Sequence, residues 1–498
     1  MIKRFSLAAL GIVAGLSVVL LIRTATFKSR QITVEPIRGL PISREAAVAR
    51  LSEAIQLKTV SMQTPEAANA GEFTAFHALI ARVFPLIHRQ LNKEIVGGHS
   101  LLFTWRGTNS QLKPMLLMAH MDVVPVDPTT ESFWHHAPFS GDIADGYIWG
   151  RGAMDDKGSV LAILEAVESL LANNFRPERT VYLAFGHDEE IGGVNGAGKI
   201  AALLRSRNVE LESVLDEGLN VFVGMISGLH SPAALIGIAE KGYLSLQLTV
   251  DSPGGHSSTP PEHTVIGILS RALQKLQQKP FPARLNGPTR EMFQFLGPEM
   301  SFDKKLVFAN LWLFGPLLEK TLAQSPLTNA LLRTTLAPTM INAGIRDNVL
   351  PAKAAAVVNL RIMPGESNTS VIEYVHRVIA DPAVKILPLP PQVEPSVVSN
   401  IDSPSFRILE KTIRQTIPAA AVAPALLVGG TDSRHYRSLT KNIFRFLPVT
   451  VGRDDIERYH GIDERISIED YERTIRFYAQ LIINSNPAKL TPSSPHLD

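Results

Sequence analysis

His120 and Asp122 close the stretch Met115–Val126, MLLMAHMDVVPV, in which four apolar residues between polar flanks read as a buried strand. Side chains two apart on an extended segment point the same way, so this imidazole and carboxylate share one side. A neutral imidazole with an acid beside it suits a metal ligand held in one orientation, and a satisfied buried pair is the plain alternative. Four further polar clusters follow: GRGAMDDKG (150–158), GHDEEIGG (186–193), LDEG (215–218) and ERYHGIDE (457–464), the last offering His460. Strand ends in an α/β sheet are where such folds build sites. Two histidines and at least three carboxylates are the ligand set of two divalent metals sharing one site. The chain has no Cys, so a thiol nucleophile and a thiolate-held metal are excluded. Two ions about 4 Å apart need one ligand that reaches both, which a carboxylate can do and an imidazole cannot. Consecutive acids stand at Asp155–Asp156, Glu189–Glu190 and Asp216–Glu217. At Glu189–Glu190 one acid can hold metal while its neighbour takes a proton from an activated water. Alone, Asp156–Lys157 reads as a surface ion pair and Glu189–Glu190 as a helix N-terminus. Five clusters in this order outweigh those readings.

Strands must end together to hold these groups. Leu101–Trp105, Met115–His120 and Thr180–Phe185 read as strands, and Val214–Leu215 as the end of another. Helical spacing predicts a first helix from Ser43 and an amphipathic helix over 159–171, with Glu165 and Glu168 outward. Strands alternating with helices imply α/β layers. The character changes near Lys241, where YLSLQLTV (243–250) alternates like a half-exposed antiparallel strand. A helix over 264–276, strands over 339–345 and 354–362, a helix capped by Ser370 and Glu373, and a strand over 384–389 follow. These make a second domain of four strands and two helices inserted into the first. Asn368-Thr369-Ser370 fits the glycosylation pattern, but a helix start accounts for it as well.

At 498 residues the chain is long enough for two or three domains, and its net charge of +2 provides no basic field for nucleic acid. Residues 5–22, FSLAALGIVAGLSVVLLI, are uncharged and near the length that spans a bilayer. The run meets Arg23 directly, without a small-residue cleavage site, which favours an uncleaved anchor over a signal peptide. The expected plan is therefore a membrane anchor at 5–22, a linker at 23–42 and a catalytic domain at 43–240 and 393–487. A lid at 241–392 carries a long apolar, Pro-punctuated insertion at 280–338, and a polar tail occupies 488–498. The anchor would leave the catalytic domain on an extracytoplasmic side.

HMDVVP, GRGAMDDKG, HDEEIGG, LDEG, SPGGHSS, NVLP and the late His-Gly together resemble the co-catalytic zinc peptidases that include aminoacylase, carboxypeptidase S and acetylornithine deacetylase. The resemblance covers about residues 43–485. NLWLF (310–314), TNALLRTTLAPTMINAG (328–344) and TDSRHY (431–436) are similar to the branch of carboxypeptidase S and the animal enzyme that condenses and hydrolyses N-fatty-acyl amino acids. The implied fold is a three-layer α/β zinc-peptidase domain with an inserted α+β, ferredoxin-like lid that serves dimerisation. The implied cofactor is two Zn2+ per subunit: His120, Asp155 and Glu217 on one, with Asp155 bridging to a second held by Glu190 and His460. Asp216 stays open as the alternative to Glu217. Glu189 would be the general base, Asp122 would orient His120, and His256 would steady the oxyanion, often in the partner subunit's site. Arg361 would grip a substrate carboxylate, and Asn348, Thr431 and Arg434 would line the same pocket.

The function this implies is hydrolysis of the amide bond of N-acyl, including fatty-acyl, amino acids, with condensation in reverse. One rival is a metallo-carboxypeptidase acting on short peptides. Phe308, Leu311, Trp312, Leu313 and Phe314 suit an acyl chain, but equally a lid core or a membrane-facing patch. A metal-free scaffold relative would lack a ligand or base, and none is missing. The expected partners are a small-molecule substrate, the membrane through the N-terminal run, and a second copy of the chain through the lid.

Overall fold

The computed structural model describes residues 2–37, 41–62 and 69–486, with side chains from residue 10 onward. The tail at 488–498 and part of the linker lie outside the described residues. The larger sheet has eight strands in the order Asn92–Val96, Ser100–Trp105, Val181–Gly186, Met115–His120, Ser213–Phe222, Ile443–Val451, Ala233–Glu240, Ala421–Leu427. Met115–His120 runs parallel to both of its neighbours, while the first strands pair antiparallel. Strand alternation divides the apolar side chains between two faces. Leu101, Phe103, Leu117, Leu183 and Phe185 join the helices Lys157–Ala172 and Ile468–Asn484 in one core. Leu102, Leu116, Met118 and Ala184 meet Ile200 and Leu204 of the helix Ala197–Ser206 on the other. The result is a three-layer α/β domain.

The second sheet is antiparallel, in the order Thr335–Ala343, Lys353–Ile362, Gly242–Asp251, Lys385–Val393. Its core takes Leu244, Leu246, Leu248, Ala356, Val358 and Leu360 against the helices Val265–Gln278 and Asn368–Ile379. Along Lys353–Ile362 alternate residues are buried, which turns Arg361 to the face away from those helices. The edge strand Thr335–Ala343 leaves Met340 and Ile341 exposed.

Several details depart from the sequence reading. The insertion at 280–338 divides: Phe281 and Leu336 pack with the lid core, while its helices pack on the large domain. Met292, Phe293, Phe295, Leu296 and Phe308 enter the large core, and the helix Gly287–Leu296 lies against Ala421–Leu427. Phe308 stacks on Phe293 with ring centres 4.4 Å apart, whereas Trp312 and Leu313 remain exposed. Glu165 faces Arg50 (2.6 and 2.8 Å) and Glu168 accepts the Leu86 and Ile87 amides, so neither points outward. The cap of the Asn368 helix is Ser367, which accepts from Ser370 N at 3.1 Å.

The N-terminal apolar run forms the helix Ile2–Thr26. Among the described residues, however, no helix is long and apolar enough to cross a membrane. This overturns the expectation of a membrane anchor, and with it the extracytoplasmic placement that rested on the anchor. The end of the helix is docked on protein instead. Asn310 Nδ2 donates to Thr24 Oγ1 and to Leu20 O, both at 3.3 Å, and Arg23 Nε donates to Ala309 O.

Candidate metal centre

Pairing between Met115–His120 and Ser213–Phe222 stops after Leu117 and Leu215. Beyond that point the strands part, and His120 and Glu217 face each other across the opening, His120 Nε2 lying 3.4 Å from Glu217 Oε1. Asp155 enters from the Gly150–Asp156 loop and places Oδ1 3.0 Å from the same nitrogen. Its Oδ2 lies 3.1 Å from His460 Nε2, which is 3.3 Å from Glu190 Oε2. Two groups of three donors therefore meet at one carboxylate: His120, Asp155, Glu217 and His460, Asp155, Glu190. Asp156, completely buried, adds a further acid within reach of His120 and Glu217. Its neighbour Lys157 donates to the carbonyls of Ala54 and Leu57, so the two do not form a surface ion pair.

The donor chemistry fits divalent cations. His120 Nδ1–H donates to the Asp122 carbonyl at 2.9 Å, which leaves the Nε2 lone pair facing carboxylate oxygens. Acceptors facing acceptors need a positive charge between them. Glu190 Oε1 is buried without a hydrogen-bond partner among the described residues, which also fits a cation ligand. Burial opposes charge on His120, but Glu217, Asp122 and Asp155 hold its pKa well above the ordinary value. Hydrogen bonds donated to Asp155 and Glu190 raise the pKa of His460 to about 10. Burial works against the charge on Asp155 as well, yet the two histidines hold it below the usual carboxylate range.

Asp122 is fully buried and organises the neighbouring turn. It accepts from Ser61 Oγ (2.5 Å), Glu189 N (3.2 Å) and Glu190 N (3.1 Å), while its carboxylate stands 3.5 Å from His120 Nδ1. Burial and the nearby Asp432 raise the pKa of Glu189 well above the ordinary carboxyl value. Asp216 is turned away from the histidines: its oxygens accept from Glu217 N (3.0 Å) and Ser433 N (2.9 Å).

The remaining residues divide. Arg434 Nη2 donates to Gly192 O at 2.8 Å and so braces the Glu189–Glu190 turn. Thr431 is spent on Glu240, to which its amide (2.8 Å) and hydroxyl (2.7 Å) both donate. Arg361 lies over the Tyr243 ring at 4.8 Å, and burial, with the Arg434 charge adding to it, lowers its pKa. His256 and Asn348 are exposed on a two-stranded ribbon, where Ser257 N donates to Asn348 O, and no contact among the described residues joins them to His120 or His460. Sequence reasoning passed over Arg151, Glu464 and Asp432, although all three stand inside motifs that drew attention. Their roles arise from contacts between distant loops.

The model of peptidase family M20/M25/M40 matches residues 116–484. Among the relatives, "Probable carboxypeptidase S-like 2" of Dictyostelium discoideum is 42% identical over 481 residues, covering 95% of this chain and 92% of that protein. "N-fatty-acyl-amino acid synthase/hydrolase PM20D1" of Xenopus tropicalis is 43% identical over 459 residues, covering 91% and 88%. Among solved structures, the M20-family metallo-carboxypeptidase Sso-CP2 of Sulfolobus solfataricus has the same fold, with a TM-score of 0.64 at 20% identity, covering 88% of this chain and 98% of that one. With a family model matching most of its length and relatives above 40% identity, the chain belongs to peptidase family M20/M25/M40, a family of metal-dependent hydrolases.

Proposed function

We propose that this enzyme hydrolyses the amide bond of N-acyl amino acids, fatty-acyl ones included, with zinc at the two donor triads. The observation that carries the reading is the sharing of Asp155 between two His-carboxylate triads with Glu189 beside them. Bound there, the ions supply Lewis-acid polarisation of the carbonyl and an acidified water. Glu189 is placed to take the proton of an attacking water and deliver it to the leaving nitrogen, the work of a general base turned general acid. Asp122 fixes where Glu189 stands by holding its amide. Arg361 receives the carboxylate of the amino acid product, with Arg434 adding positive charge. The exposed His256–Asn348 ribbon and the uncovered edge strand Thr335–Ala343 suit a homodimer in which one copy's His256 steadies the oxyanion in the other's site. The fatty-acyl preference rests on similarity to the amphibian relative.

The test supplies the zinc-loaded full chain with an N-long-chain-acyl amino acid and, separately, with a dipeptide bearing a free C-terminus, and follows amino acid release. Faster release from the acyl substrate is expected, and Glu189→Gln should lower kcat by about 10²–10⁴-fold. Preference for the dipeptide would make this a carboxypeptidase, the activity named for the Dictyostelium relative. Full activity in Glu189→Gln would overturn the mechanism. Supplying fatty acid and amino acid at high concentration tests condensation by the same site.

A further inference from the structure

The two triads are not held in the same way. His120 is 1% exposed and sits at the end of a central strand, so packing fixes its ring. The His460 side chain is 54% exposed, and its backbone adopts a left-handed conformation (φ +59°) that a residue with a Cβ rarely takes. Side-chain packing therefore cannot aim His460; something must hold its backbone.

That hold is a buried ion pair between the loop carrying Asp155 and the loop carrying His460. Arg151 (2% exposed) donates from Nη1 to Glu464 Oε2 at 2.6 Å, and from Nη2 to the carbonyls of His460 and Gly461, both at 3.0 Å. Glu464, with no exposed surface, accepts at Oε1 from the amides of Gly152 (2.9 Å), Met154 (3.0 Å) and Asp155 (3.2 Å). The Gly150–Asp156 loop thus wraps a carboxylate as a nest of amides wraps an anion. Its arginine reaches back to fix the two carbonyls that follow the strained His460 backbone. Both loops leave one small ribbon, where Trp149 pairs with Arg465 and Gly150 N donates to Glu464 O at 2.8 Å. Rigid geometry is thereby passed from one loop to the other without either side chain touching a ligand nitrogen or oxygen.

We propose that Arg151 and Glu464 are positioning residues that set the second metal position, the one shared by Asp155, Glu190 and His460, while the His120–Glu217 position depends on them far less. The inference rests on the two-metal reading above. It makes a selective prediction: loss of the Arg151 fork frees the His460 turn but leaves the strand-borne His120 and Glu217 in place. Groups that orient ligands without binding metal change affinity by about 10–100-fold when removed.

The test is equilibrium dialysis of the metal-stripped full chain against Zn2+, with bound metal counted per chain, for wild type, Arg151→Met, Arg151→Lys and His460→Ala. Co2+ absorption spectra and circular dichroism are recorded on each. Wild type should bind two ions. Arg151→Met should weaken one binding step by about 10–100-fold, the same step that His460→Ala removes, and leave the other within about threefold. The Co2+ bands of the affected position should change to match. If the Met variant does not fold, Arg151→Lys, which keeps the charge but not the planar fork, should show a smaller loss at the same step. A folded variant that binds both ions like wild type, or that loses both steps equally, would overturn the proposal. Wild type holding fewer than two ions would overturn the two-metal reading itself, and the proposal with it.

Discussion

Arg445 is a buried cation whose removal has a calculable cost. It has no exposed surface, and it packs between Gly218 and Gly237, where an added Cβ would come within 2.8 and 3.1 Å of its own Cβ. Its guanidinium donates to Glu240 Oε2 (3.0 Å), Ser433 Oγ (3.1 Å) and Ile443 O (3.1 Å). Arg445→Met fills much of the same volume but strands Glu240, which is 3% exposed, as an unpaired buried charge. Breaking one side of such a pair costs about 3–5 kcal/mol. An unfolding entropy of about 2.1 cal/mol/K per residue gives about 1 kcal/mol/K over 498 residues, so Tm should fall by about 3–5 °C. Adding Glu240→Gln removes the stranded charge while keeping an acceptor for Thr431, and should return about 2 kcal/mol, or about 2 °C. Scanning calorimetry of the metal-loaded proteins reads both values. A single variant melting within 1 °C of wild type, or a double variant melting below the single, would refute the reasoning.

Three further outcomes are expected. Asp122→Asn sets an NH2 against the Glu189 or Glu190 amide, 3.2 and 3.1 Å away, and should lower kcat/KM by about 10–100-fold, read by steady-state kinetics alongside metal content. Dialysis against a chelator should abolish hydrolysis and lower Tm, both restored by zinc; persistent activity would exclude a metal role. Glu410, almost buried with Oε1 unpartnered among the described residues, has its pKa raised by burial to about 7, only partly offset by Arg414 and Arg407. The folded state therefore keeps its proton after the unfolded chain has lost it, so Glu410 costs stability as pH rises from about 4.5 to 7. Glu410→Gln should gain about 2 kcal/mol above pH 7 after allowance for screening, and nothing below pH 4; melting curves across this range check the sign.

The acids and histidines of the centre were legible because each is delivered by its own local element. His120 ends a run of buried residues, Glu189 and Glu190 begin the turn after Val181–Gly186, and His460 announces itself in a polar cluster. Local pattern is blind to partners far along the chain. Arg151 and Glu464 are 313 positions apart, Arg50 and Glu165 115 apart, and nothing near Glu165 distinguishes an outward acid from a paired one. The insertion at 280–338 reads as lid because it is continuous with it in sequence, and its ends do stay there. An apolar helix such as Gly287–Leu296 carries no mark of which core it will enter, and the large core took it. Thr431 shows the same limit: a hydroxyl in a glycine-rich turn suits a substrate, but a buried Glu240 from another strand claims it first.

That division has a functional consequence. Groups placed by a single strand, such as His120, tolerate change elsewhere, because sheet pairing and core packing hold them independently of the loops. Groups placed by loop-to-loop contacts are coupled to every residue in those contacts. Arg434 ties the Glu189–Glu190 turn to the Thr431 turn, and Ser433 of that turn, held by Arg445, donates its amide to Asp216, the neighbour of Glu217. Substitutions along this chain should therefore be non-additive. In a double-mutant cycle of Arg434→Met with Arg445→Met, the combined loss in kcat/KM should be smaller than the product of the single losses, because either change already frees the same turn. Strict additivity would show that the two arginines act separately.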